Sequence, residues 1–298
     1  MALAPRVVVV HRRTELDSLL DQHGTRGQAE FFLRARGWSL DDVQLRHDHQ
    51  GAALAAASAA IPVDWRRGGV EREDLPRFVF EPGDVLVVVG QDGLVANAAR
   101  YLDGQPVIGV DPEPGRNPAV LVRHQPGALA RTLATTVAGT GATERHTMAH
   151  AQLDDGQALD TLNEVYVGHP THQSARYRLA VDGAGEWERQ SSSGLIASTG
   201  TGATGWAASI SRDRGRPVDL PGPMDPALAW FVREAWPSPA TGTSLTAGVV
   251  ADDGRLQVVV ESNELVVFGD GQESDRLTAT WGQCVTIGVS QRALTLVV

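Results

Sequence analysis

The chain has 298 residues, 42% of them apolar and 21% charged, the profile of a soluble globular protein long enough for two domains. All 26 basic residues are arginine, so a P-loop, a protein-kinase strand lysine and Schiff-base catalysis are excluded in their usual forms. The formal charge of -10 opposes a nucleic-acid or anionic-membrane partner, and the single cysteine, Cys284, excludes an internal disulfide and fits a cytoplasmic protein.

The first apolar run, up to Val10, leads into His11-Arg12-Arg13 without a small-residue cleavage pattern, and predicts a buried strand in place of a signal peptide. The alanine-rich stretch Ala52 to Ile61 predicts a soluble helix, being too short and weakly apolar to span a bilayer. Asp84 to Val89 is a nearly continuous β-branched run, expected of a strand covered on both faces. A helix over Leu94 to Leu102 and a strand over Val107 to Val110 then complete a βαβ pattern. Beyond about residue 125 the runs shorten: Leu162 to Val167, Tyr177 to Val181, Leu195 to Ser198, Gly248 to Val250, Leu256 to Val260, Glu264 to Phe268, Val285 to Val289 and Leu294 to Val298. Gly, Asp and Asn punctuate them, predicting a β-rich second domain. Asp213 to Pro226, rich in Pro, Gly and Arg, reads as an exposed loop or lid.

Three segments carry candidate chemistry. Gly90-Gln91-Asp92-Gly93 follows the buried strand, where loops at the carboxyl ends of parallel strands bind ligands and glycine lets backbone N–H groups approach phosphate. Asp92 would stand beside the reacting phosphate, although Asp-Gly also suits a hairpin turn. Ser191 to Gly205 gathers hydroxyl residues and glycines around Leu195-Ile196-Ala197 and ends in Trp206, a composition that can present several donors to a ribose or phosphate. Asn163-Glu164 opens a strand and pairs an amide with a carboxylate, which together can read a ribose diol. The pairs His47 with His49 and His169 with His172 lack the accompanying spacing of a zinc site, and no Gly-x-Ser-x-Gly elbow is present.

In this order the segments resemble the NAD kinase family. That family carries an early Gly-Gly-Asp-Gly-Thr loop, a central Asn-Glu and a later Ser-Thr-Pro-Thr-Gly-Ser-Thr-Ala-Tyr loop. Here they read Gly90-Gln91-Asp92-Gly93-Leu94, Asn163-Glu164 and Ser198-Thr199-Gly200-Thr201-Gly202-Ala203-Thr204-Gly205-Trp206, with supporting segments at Pro106 to Asp111 and Gly269-Asp270-Gly271. The mitochondrial-type branch is similar in its Ser-Ser-Gly-Leu, Thr-Gly-Thr-Gly and Trp positions.

The resemblance implies a NAD kinase/diacylglycerol kinase-like two-domain fold. An α/β domain over 1–124 would be completed by the C-terminal strand 285–298, and a β-rich nucleotide-binding domain would fill 125–284. It implies an ATP- and magnesium-dependent kinase that phosphorylates the 2′-hydroxyl of NAD, cytoplasmic and homo-oligomeric, with no metal-ligand set of its own. A nucleoside or other hydroxylated acceptor, or a non-catalytic nucleotide-binding regulator, are the alternatives. Asp92 would act as base or metal organiser, Asn163 and Glu164 as ribose or adenine contacts, and Thr201, Thr204, Gly205 and Ser209 as the adenosine pocket. Trp206 takes the family's tyrosine position and would stack on a ring. Gln91 replaces a glycine, Leu94 replaces a threonine, and Ser193 stands where most of the family has an aspartate near the nicotinamide end. Arg116 is the candidate cation for the charge of the transferring group.

Overall fold

The computed structural model describes residues 4–116, 118–182, 187–215 and 218–298. Of the loop expected over Asp213 to Pro226, residues 216–217 lie outside the described residues. The chain forms two compact units, Met1–Glu144 with Thr295–Val298, and Arg145–Leu294.

The first unit begins with β1 (Arg6–His11), followed by helices α1 (Glu15–His23), α2 (Arg26–Arg34) and α3 (Leu40–Ala60). Then come β2 (Arg66–Glu71), β3 (Asp84–Val89), α4 (Asp92–Ala99), β4 (Pro106–Val110) and α5 (Leu129–Val137). The strands run parallel in the order β2-β1-β3-β4. Every residue of β3 is buried, as its β-branched run requires of a strand covered on both faces. The small side chains Ala53 and Ala57 let α3 lie close to the sheet, where they share a core with Val7, Val87, Leu129 and Leu133. The last two belong to α5, which is why the first unit continues to Glu144, beyond the expected boundary at 124.

Helices α1 and α2 escape a periodicity reading because only two positions of each are buried: Leu16 and Leu19, then Ala29 and Leu33. These pack on Leu40 and Val43 of α3. Their starts are nonetheless well signalled. Thr14 and Asp17 form a capping box, Thr25 accepts from the Gln28 N–H, and Ser39 accepts from the Asp41 N–H.

The second unit contains most of β5 (Thr143–Leu153), then β6 (Ala158–Thr161), β7 (Glu164–Gly168), β8 (Ala175–Val181), β9 (Glu188–Ser192) and β10 (Leu195–Ser198). It continues with α6 (Trp206–Asp213), β11 (Ala227–Val232), β12 (Ala247–Ala251), β13 (Arg255–Val260), β14 (Glu264–Gly269), β15 (Gln272–Thr280) and β16 (Cys284–Val297). One sheet runs β6-β5-β16-β13-β8-β9 and the other β12-β11-β10-β7-β14-β15. Tyr177, Leu179, Leu256 and Ile287 of the first meet Val165, Leu195, Trp230 and Leu265 of the second in a single core. The two apolar runs over 285–289 and 294–298 belong to one strand, β16, as the expected C-terminal strand 285–298 has it, because polar Ser290-Gln291-Arg292 interrupts the apolar pattern without ending the pairing. The end of β16 belongs to the first unit, where Thr295 and Leu296 pair in parallel with Pro106 and Val107 of β4. No helix among the described residues is long and apolar enough to cross a membrane.

Candidate functional site

In the first unit, the chain leaves β1 toward β2 on one side, while β3 lies on the other side of β1. The carboxyl ends of β1 and β3 therefore diverge at a topological switch point, where open α/β sheets bind ligands. A cavity of ≈ 200 Å³ lies there, lined by Arg12, Arg46, Gly90, Gln91, Asp111 and Arg116 among others. That is below the roughly 300–1,000 Å³ of pockets that enclose a whole small ligand, so it suits one part of a ligand.

Asp92 begins α4 beside this cavity, so its Asp-Gly opens a helix and not a hairpin. Its Oδ1 accepts from the N–H groups of Leu121 (2.8 Å) and Val122 (3.1 Å), and its Oδ2 from that of Val120 (3.0 Å). A carboxylate has about four acceptor sites. Three are used to fix its orientation, and the fourth, on Oδ2, has no partner among the described residues. The segment it holds lies directly on β4: a Cβ added to Gly109 would stand 2.1 Å from the Leu121 oxygen. The Gly109 oxygen in turn accepts from His124 N–H at 3.0 Å. Gly109 and Asp92 thus clamp the same segment from opposite sides.

In the second unit, Asn163 immediately precedes β7 and Glu164 begins it. Their backbone is enclosed from two directions. Asp270 accepts from Leu162 N–H (3.0 Å) and Asn163 N–H (2.7 Å), while the Asn163 oxygen accepts from Thr199 N–H at 2.9 Å. Glycine is required at both contacts, since a Cβ at Gly202 would lie 2.3 Å from the Asn163 oxygen and one at Gly269 would lie 1.9 Å from Thr161 Cγ2. The Gly269-Asp270-Gly271 segment is therefore the backbone brace of the Asn-Glu pair.

Burial, and then the charge of Asp270, push the Glu164 carboxyl up to about 7. At neutral pH such a group can both donate and accept a hydrogen bond. The shift also sets a pH dependence. A carboxyl raised in the folded state is neutral in both states below about 4.5, and its folded form is progressively penalised as pH rises through 7. Wild type should lose on the order of 2–3 kcal/mol of stability relative to Glu164→Gln between pH 4.5 and 8. Urea denaturation of both proteins across that range tests this, and parallel pH profiles would contradict it.

Gly90, Gln91, Asp92 and Gly93 sit together in the first unit, and Gly90, Gln91 and Arg116 line its cavity. Arg116 is ion-paired with Glu113 at 3.1 Å, so its charge is already met. Leu94 is a correction to the expectation: its side chain is 3% exposed and packs over Gly90, so it serves the core of α4 and offers nothing to a ligand. In the second unit, Thr201 is buried with its hydroxyl 3.0 Å from His146 Nδ1. Thr204, Gly205 and Ser209 are exposed at and within the start of α6. Trp206 does not wait for a partner: it stacks on Tyr166 (5.9 Å between centroids, 16° between planes) and carries the Arg233 guanidinium 5.0 Å from its ring. Ser193 is exposed, and its backbone carbonyl oxygen accepts from the Tyr166 hydroxyl at 3.0 Å. Asp270, Tyr166, His146 and Arg12 were not singled out as site residues by sequence reasoning. Only Asp270 carried a signal there, in its flanking glycines.

No family model matches the chain. Over 281 residues, 72% of this chain and 65% of the relative, it is 26% identical to the mitochondrial NAD kinase 2 of Xenopus tropicalis. Over 134 residues, 42% of this chain and 44% of the relative, it is 37% identical to the NAD kinase of Methylococcus capsulatus. In both cases the match spans less than two thirds of the relative's own length. The chain is similar in sequence to proteins named NAD kinase. The crystal structure of an NAD kinase from Archaeoglobus fulgidus in complex with ATP shares its fold, with a TM-score of 0.58 and 18% identity over 98% of this chain and 93% of that one. The α/β unit followed by a β-rich unit is thus the NAD kinase architecture, as the order of the three motifs implied.

Proposed function

We propose that the protein transfers the γ-phosphoryl group of ATP to a ribose hydroxyl, the 2′-hydroxyl of NAD, to give NADP and ADP. The observation that carries this is Asp92, a carboxylate oriented by three N–H donors at the carboxyl end of β3, with one acceptor site unpartnered among the described residues. In this reading that oxygen takes the hydroxyl proton while the hydroxyl oxygen bonds to the γ-phosphorus and the bond to the β-phosphate bridging oxygen breaks. The phosphate chain occupies the cavity of the first unit, whose lining carries four arginines beside Glu15, Asp111 and Glu113. Asn163 and Glu164 of the second unit read ribose hydroxyls, which their amide and near-neutral carboxyl suit as donors and acceptors. The relatives named NAD kinase support the choice of acceptor.

Magnesium screens polyphosphate charge in such transfers. Among the described residues no three His, Cys, Asp or Glu side chains converge as a cation site. The ion would therefore arrive on the donor phosphates, and no step is assigned to a protein-held metal. The same reading carries a cytoplasmic homo-oligomer acting on small molecules, and the charge of -10 supports the absence of a nucleic-acid or anionic-membrane partner.

The test is incubation of the protein with ATP and magnesium against NAD, NADH, adenosine and a nucleoside panel, read by mass spectrometry. NAD gaining one phosphate is the expected result. Efficient phosphorylation of a nucleoside with NAD untouched would replace the acceptor, and no transfer to any of them would remove the kinase reading.

A further inference from the structure

We propose that Arg12, steered by Gln91, is the cation that receives the terminal phosphate of the donor. This rests on the kinase reading above and assigns residues to its phosphate side. Arg12 is the first residue after β1, and Gln91 follows Gly90 at the end of β3, so the pair bridges the two strand ends that form the switch point. Arg12 Nη2 donates to Gln91 Oε1 at 3.1 Å.

The charges around the cavity single out this residue. Arg13 is paired with Asp21 at 2.6 Å, Arg46 with Glu15, and Arg116 with Glu113 at 3.1 Å. Among the described residues Arg12 is the cavity arginine without a carboxylate partner; of the acids on the same lining, Glu15 and Glu113 are taken by Arg46 and Arg116, and Asp111 Oδ1 accepts from the Glu113 N–H at 2.8 Å. Its single amide contact uses one of five guanidinium donors, leaving a fork free for two phosphate oxygens. Gln91 Nε2 makes no hydrogen bond among the described residues and adds another donor at the same place. A chain without lysine must supply this cation from arginine. The contact also explains why a glutamine is useful at a position where backbone alone would approach phosphate: its carbonyl oxygen holds the guanidinium over the strand ends.

Binding and kinetics together test the assignment, with Arg12→Ala, Arg12→Lys and Gln91→Gly. Calorimetry is run with magnesium-ATP and, separately, with adenosine, which lacks the phosphates. Arg12→Ala should weaken ATP binding by roughly 10–100-fold and leave adenosine unchanged, with the ATP KM raised in step. Arg12→Lys should recover part of this, since an ammonium restores charge but not the two-pronged contact. Gln91→Gly should lower kcat more than it raises KM, because the guanidinium remains but is no longer steered. Unchanged ATP affinity in a folded Arg12→Ala protein, or equal losses for ATP and adenosine, would overturn the proposal. ATP binding that depends on Arg12 in a wild-type protein unable to phosphorylate any acceptor would support it and refute the kinase reading alone.

Discussion

Asp92→Asn should lower turnover of phosphoryl transfer by about 10²–10⁴-fold, the range for removing a positioned acid-base group. Adenosine binding should persist, since Asn163, Glu164 and the loop around Thr201 lie in the other unit. The substitution is not silent structurally. An amide presents one carbonyl oxygen where the carboxylate uses both, so at least one of the N–H groups of Val120, Leu121 and Val122 loses its acceptor, at a cost of about 1 kcal/mol or more. Steady-state kinetics beside a thermal melt separates the two effects. Turnover near that of wild type in a folded variant would show that Asp92 only braces the segment it holds.

Gly109→Ala should have the second large effect, reaching the same carboxylate from the opposite side. The added methyl would meet the Leu121 oxygen at 2.1 Å and Val122 Cα at 2.8 Å. Those are backbone atoms, so relief requires the whole segment to lift from β4, and overpacking of this kind costs about 1–3 kcal/mol. Because Leu121 and Val122 also orient Asp92, lifting them misplaces the carboxylate, and small displacements of a reacting group cost about 10²-fold in rate. A variant with lowered stability and wild-type kcat would break the proposed link between the segment and the chemistry. Crystals of the variant would show whether residues 120–122 have moved.

How far these features could be read in advance depends on how local their causes are. The boundaries of β3 and β10 follow directly from Asp84 to Val89 and Leu195 to Ser198, because burial on both faces leaves an uninterrupted apolar run. Asn163-Glu164 was legible as the opening of a strand because Val165 and Val167 alternate with Glu164 and Tyr166, the period of a strand with one face in the core. The partners of Asp92 were not legible, since they are backbone N–H groups of Val120 to Val122, and backbone groups carry no residue signature. Nor was Arg12: surface arginines are common in a chain whose basic residues are all arginine, and only the pairing of its neighbours with carboxylates sets it apart. Trp206 was legible as an aromatic near the site, but its stacking partner Tyr166 comes from β7 and is adjacent only through the sheet. Leu94 misled because a position in a loop motif turned out to be the first buried turn of α4.

The central claim is that a phosphoryl group passes from ATP to the ribose of NAD on this chain. The most direct measurement follows γ-labelled ATP incubated with the protein, magnesium and NAD, with the product separated and its phosphate position assigned by phosphorus NMR. The account predicts label in NAD as a 2′-monoester, formed at a rate that falls about 10²–10⁴-fold in Asp92→Asn. Label recovered only as ATP or inorganic phosphate, or in a nucleoside in preference to NAD, would contradict it.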